Sequence, residues 1–158
     1  LHQRVRRQRQ MCIRDRLELE EFSFLEEGQL DSLDIVYLLQ TKIGPVDAVN
    51  AAIGLGGGSW VDYVNDDNQL FMTVKIQGDD SNELGEIAEA FMNWANFQTR
   101  FTKLSNDKGN WIGNLYEGQT NLWIYNDGNY LRLALSNDLD FITNFLGDCS
   151  SQICNINF

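Results

Sequence analysis

At Gly78 the spacing of the apolar residues changes from every second residue to about every 3.6, and that switch limits what the chain can become. Before it, Leu70, Met72, Val74 and Ile76 alternate with Phe71, Thr73, Lys75 and Gln77, the pattern of a strand with one face turned to a core. After it, Leu84, Ile87, Ala88, Phe91, Met92 and Ala95 fall on one side of a helix that Asp80 and Glu83 open in capping-box positions. A strand feeding straight into an amphipathic helix has two apolar faces to bury, and laying the helix on the sheet buries both.

The remaining periodicity extends that unit in both directions. Trp60–Val64 pairs with the first strand through the turn Asn65-Asp66-Asp67-Asn68, whose residues tolerate left-handed backbone. Three more strands are expected at 111–116, 119–126 and 130–136, separated by Glu117-Gly118 and Asp127-Gly128-Asn129. Upstream, Leu30, Leu33 and the run Ile35-Val36-Tyr37-Leu38-Leu39 predict a mostly buried helix ending near Gly44. Pro45 opens a second helix with Val46, Val49, Ala52 and Ile53 as its apolar positions and Gly54 as its stop. Asn137 is read as the N-cap of a last helix, with Leu139, Ile142, Phe145 and Leu146 inward and Gly147 as its stop. The expected fold is therefore α+β, a mostly antiparallel sheet of about five strands with helices packed on one face.

Residues 1–16 do not share this character. They hold six of the twelve basic residues, and Arg6 to Arg16 reads like the translation of a transposase-type sequencing adapter, so the segment is expected to be a non-native leader and 17–158 a single domain, a fragment of a larger protein. Without the leader, 6 basic residues stand against 22 acidic ones, a formal charge of −16. Nucleic acid is disfavoured, because a phosphate backbone needs a basic footprint and Lys42, Lys75, Arg100, Lys103, Lys108 and Arg132 are scattered. No apolar run reaches the length needed to insert in a membrane. Cys149 and Cys154 are close enough to close a short disulfide loop, which points to an oxidising, extracellular or cell-surface location; two free thiols are the alternative.

Residue chemistry offers no organised catalytic group and no expected cofactor or metal. The sole histidine, His2, lies in the leader, so serine, threonine and cysteine nucleophiles lack an imidazole base and no tetrahedral metal set is completed. The glycine-rich stretch Gly54–Ser59 follows a helix and precedes a strand, the reverse of a phosphate-cradling loop, and reads as a connector. Asn65–Asn68, Asp79-Asp80 and Asn126–Asn129 have oxygen-rich side chains but not the spacing of a calcium loop, and turn chemistry accounts for them. Glu86 and Glu89 are a carboxylate pair of the kind that acid–base chemistry uses, though solvated acids on a helix are the simpler reading. Trp123 and Tyr125 alternate with Leu122 and Ile124, so one pair faces the core and the other something else. With Tyr130, Trp123 and Tyr125 would form a surface for a protein or glycan if they are the exposed pair; packing under a helix is the alternative.

One set of motifs resembles a known group. Gly28-Gln29-Leu30, Leu38-Leu39, Pro45-Val46-Asp47-Ala48 and Ala51-Ala52-Ile53-Gly54-Leu55-Gly56-Gly57, followed by Trp60 and Tyr63, are similar to the C-terminal region of a family of exported prokaryotic surface proteins, and Glu89-Ala90-Phe91 and Trp94 fall in the matching helix. Leu55 replaces the family's Trp and Gly58 its Asp. The family's upstream half resembles a zinc peptidase with an HExxH helix, and none of its ligand positions exists here. The resemblance implies a non-catalytic accessory domain whose first partner is the missing N-terminal half of its own chain, with Gly54, Gly56, Gly57 and Trp60 as the shared motif.

Overall fold

The computed structural model describes residues 19, 21–97, 110–115, 120–138, 140 and 141. In chain order it has β1 (Ser23–Leu30), α1 (Ser32–Ile43), α2 (Pro45–Ile53), β2 (Leu55–Val64), β3 (Leu70–Gly78), α3 (Ser81–Phe97), β4 (Asn110–Leu115), β5 (Thr120–Asn126) and β6 (Leu131–Ser136). The strands make one six-stranded sheet in the order β1-β2-β3-β6-β5-β4, and every pairing is antiparallel. The fold is α+β, with the helices against one face.

Register explains why one face takes the helices. Trp60, Val74, Leu133 and Ile124 sit opposite one another across four strands, and Asp62, Met72, Leu135 and Leu122 form the next row. Ile35 and Leu39 of α1, the alanines of α2 and Leu84, Ile87, Phe91, Trp94 and Ala95 of α3 close over this face in one core. On the opposite face Val61, Tyr63, Phe71, Trp123 and Ala134 form a second, aromatic cluster with Phe22, and the Phe71 and Phe141 rings meet edge to face at 4.9 Å.

Local chemistry fixes the element ends. Asp31 caps α1: its Oδ1 accepts from the Leu33 and Asp34 amides at 2.8 and 3.1 Å, while Asp34 Oδ2 accepts from the Asp31 amide at 2.9 Å. Asp80 caps α3 through the Asn82 and Glu83 amides. In the β2–β3 turn Asn65 Oδ1 accepts from the Asp67 and Gln69 amides, and Asn68 takes φ 58°. Asp127 Oδ1 accepts from Asn129 and Tyr130 in the β5–β6 turn, where Gly128 supplies φ 87°.

Several expectations are corrected. β1 was not signalled: its run Phe24-Leu25-Glu26-Glu27 lacks clean alternation, as an edge strand with a bulge between Phe24 and Glu26 does. β2 begins at Leu55, so the glycines expected as a connector belong to the strand, with a register shift between Leu55 and Gly57. Helix α1 is not mostly buried; Ile35 and Leu39 are, whereas Leu33, Tyr37 and Leu38 are exposed. In α2 the alanines Ala48, Ala51 and Ala52 face inward, and Val46, Val49 and Ile53 face out. Asn137 does not cap the last helix: its Oδ1 accepts from the Leu70 amide at 3.1 Å, and Asp138 takes the capping role through the Phe141 amide at 2.9 Å. Leu139, Ile142, Phe145, Leu146, Gly147 and the turn Glu117-Gly118 lie outside the described residues.

Candidate functional site

The helix layer does not seal its face of the sheet. Between α1 and α3 lies an apolar cavity of ≈ 290 Å³, walled by Asp34, Ile35 and Leu38 of α1 and by Phe91 and Trp94 of α3. Its floor is the sheet, with Trp60, Met72, Val74, Leu122, Leu133 and Leu135. Of these residues the sequence put Met72, Val74 and Phe91 at the expected apolar phases and Ile35 and Leu38 in a mostly buried helix. It could not show that the two helices splay enough to leave space above them.

Trp60 lines the cavity with its indole laid over β1. It is paired with Gly28 on β1, and its indole covers that glycine so closely that a Cβ there would come within 2.6 Å of the ring. The wall residue Trp94 is 6% exposed, and among the described residues its Nε1 has no hydrogen-bond partner, an unusual state for a buried donor.

Met72 and Leu135 also line a wider trough of ≈ 560 Å³, whose other walls are Asp62, Leu70, Thr120, Ser136 and Asn137. Cavity and trough therefore adjoin along one row of the sheet. Asp62 is half-buried, and Glu26 stands directly opposite it on β1. Burial, and then the negative charge of Glu26, hold the Asp62 carboxyl above its usual pKa. No hydrogen bond or ion pair reaches Asp62 among the described residues. The site thus has an apolar end and an uncompensated acidic end. Sequence reasoning passed over Asp62, which stood as one residue of a strand. The strand pattern Trp60-Val61-Asp62-Tyr63 carried the signal, because an aspartate in phase with Trp60 must face the helix layer.

The residues singled out from the sequence lie elsewhere or serve structure. Trp123, Tyr125 and Tyr130 belong to the face away from the helices. Trp123 is 4% exposed and stacks on Tyr125 at 5.5 Å, so it is not the exposed aromatic that a binding surface would need. Tyr125 and Tyr130 are half-buried; Lys75 Nζ lies 4.4 Å from the Tyr130 ring centre, and Arg132 bridges to Asp127 at 3.0 Å. Gly54 closes α2, and its carbonyl accepts from the Asp79 amide at 2.7 Å. An added Cβ on Gly56 would come within 2.8 Å of the Gly78 carbonyl oxygen, and Gly57 lies in the bulge. Gly54, Gly56 and Gly57 therefore build the corner where α2, β2 and the start of α3 meet, while Trp60 lies apart on the cavity floor.

Glu86 and Glu89 are exposed on α3, where with Asp47, Asn50, Asn93 and Lys42 they line a groove of ≈ 300 Å³ against α2. Among the described residues no three His, Cys, Asp or Glu side chains come together as a metal site, and no helix is long and apolar enough to cross a membrane. Cys149 and Cys154 lie outside the described residues. Comparison with known protein families, curated proteins and solved structures finds no match for the chain.

Proposed function

We propose that the domain is a non-catalytic accessory part of an exported surface protein whose other half resembles a zinc peptidase, and that it works by docking onto that half. The observation that carries the docking is the orientation of α2. Its larger aliphatic side chains, Val46 and Ile53, are 70% and 71% exposed, while three alanines face the core. Leu33 and Tyr37 of α1, 64% and 67% exposed, add a second apolar stripe one helical turn long. Apolar stripes on both helices of a hairpin are what a protein interface requires and a solvated surface does not. The peptidase-like partner rests on the motif resemblance, and no zinc step is assigned to this chain, whose described residues bring no three potential ligands together.

Three experiments test the reading. The frame upstream of the domain in its gene should encode an HExxH helix; a complete frame without one removes the peptidase part. A Leu33→Asp, Val46→Asp, Ile53→Asp variant should stay folded and lose binding to that upstream half supplied in trans, and undiminished binding would sink the docking surface. Export further predicts that Cys149 and Cys154 are oxidised, so thiol titration of denatured protein taken from its native compartment should find neither reactive.

A further inference from the structure

We propose that the groove between α1, α3 and the sheet binds a small cationic amphiphile, with a single apolar tail in the Trp60–Trp94 cavity and an ammonium head beside Asp62 and Glu26. This goes beyond the docking reading and uses different residues.

The size of the cavity sets the tail. At ≈ 290 Å³ it lies at the lower end of small-molecule sites, which run from about 300 to 1,000 Å³, so it takes one chain or ring and not a two-tailed lipid. Its walls are apolar except for Asp34, whose carboxylate is engaged at the α1 cap. The adjoining trough sets the head. Asp62 lies half-buried against Met72 and Leu135 with Glu26 opposite, and among the described residues no cation answers either carboxylate. The described basic side chains are committed elsewhere: Lys75 and Arg132 stand on the far face around Tyr130, and Lys42 lines the α2–α3 groove. An anionic head would meet Asp34, Glu26 and Asp62 together. A neutral head would leave Asp62 as uncompensated as before. A cationic head supplies the missing charge, and attraction across a partly dry trough exceeds that at an open surface.

Isothermal titration of the full chain with decyltrimethylammonium, decanol and decanoate, each below its micelle concentration, tests this. The ammonium compound should bind about twofold to fivefold tighter than the alcohol, the value of one partly exposed ion pair, and decanoate should not bind. Asp62→Asn should bring the ammonium compound down to the affinity of the alcohol. Leu38→Trp, at the exposed mouth, should weaken both by filling the cavity. Equal affinity for ammonium and carboxylate, or unchanged ammonium binding in Asp62→Asn or Leu38→Trp, overturns the proposal. Binding of a short peptide with lysine beside an apolar residue, where decyltrimethylammonium does not bind, overturns it too and gives the groove to a protein segment.

Discussion

Helix α3 and the α1–α2 hairpin are built from similar proportions of apolar residues, yet they use them differently. In α3 the apolar stripe predicted by its spacing is the stripe that packs: Leu84, Ile87, Phe91 and Ala95 are at most 2% exposed. In α2 the stripe of large residues points to solvent and the alanines pack, because small side chains let the helix approach α1 and α3 closely. A helix lying over a broad sheet is read correctly from its period. A short helix wedged among other helices is placed by side-chain size as well as by polarity.

That contrast can be broken or sharpened by substitution. Phe91→Ala should cost about 3–5 kcal/mol, as for a large buried aromatic; a loss under about 1 kcal/mol in urea denaturation would mean that α3 does not seat on the sheet. Ala51→Leu, which overfills the inner side of α2, should cost about 1–3 kcal/mol. A neutral result there would show that α2 presents its other side to the core. Asp31→Ala should lower stability by about 1 kcal/mol through loss of the α1 cap, with helix content by circular dichroism falling in step.

Asp62→Asn acts by charge. Because the folded-state pKa is raised, the folded protein holds that proton more tightly than the unfolded chain, so Asp62 costs stability as pH rises through the carboxylate range. The asparagine variant should be more stable at pH 7, by less than about 1 kcal/mol given the partial exposure, and the gain should vanish in acid below the ordinary aspartate pKa. Thermal midpoints across pH decide it, and a gain that persists in acid would contradict the cause given. The smallest effect belongs to the outer stripe: Val46→Ser with Ile53→Ser should change the stability of the free domain by no more than about 0.5 kcal/mol. A larger loss would place those side chains inside.

How far the groove could be read from the chain follows from the same physics. Met72 and Val74 were legible as core by alternation, and Phe91 by helical spacing, so part of its floor and part of one wall were in view. The space above the floor was not, since it depends on the separation of α1 from α3. The importance of Asp62 was hidden for a related reason: its burial and its approach to Glu26 both require β1, a strand whose charged and bulged sequence disguises its period. The aromatic pair Trp123 and Tyr125 was placed correctly on the face opposite Leu122 and Ile124. What lies beside that face was decided by Phe22 and Phe71, from distant parts of the chain.

Among the described residues, the sequence by itself determined the α+β class, the three helices, five of the six strands and the turns at Asn65–Asn68 and Asp127–Asn129, because period, caps and turn residues act over a few neighbours. Only the tertiary structure decided the pairing of β3 with β6, the edge position of β1, the outward turn of the large residues of α2 and the gap between α1 and α3. Those features depend on which surfaces meet across long stretches of chain, and local free energies do not distinguish one such meeting from another.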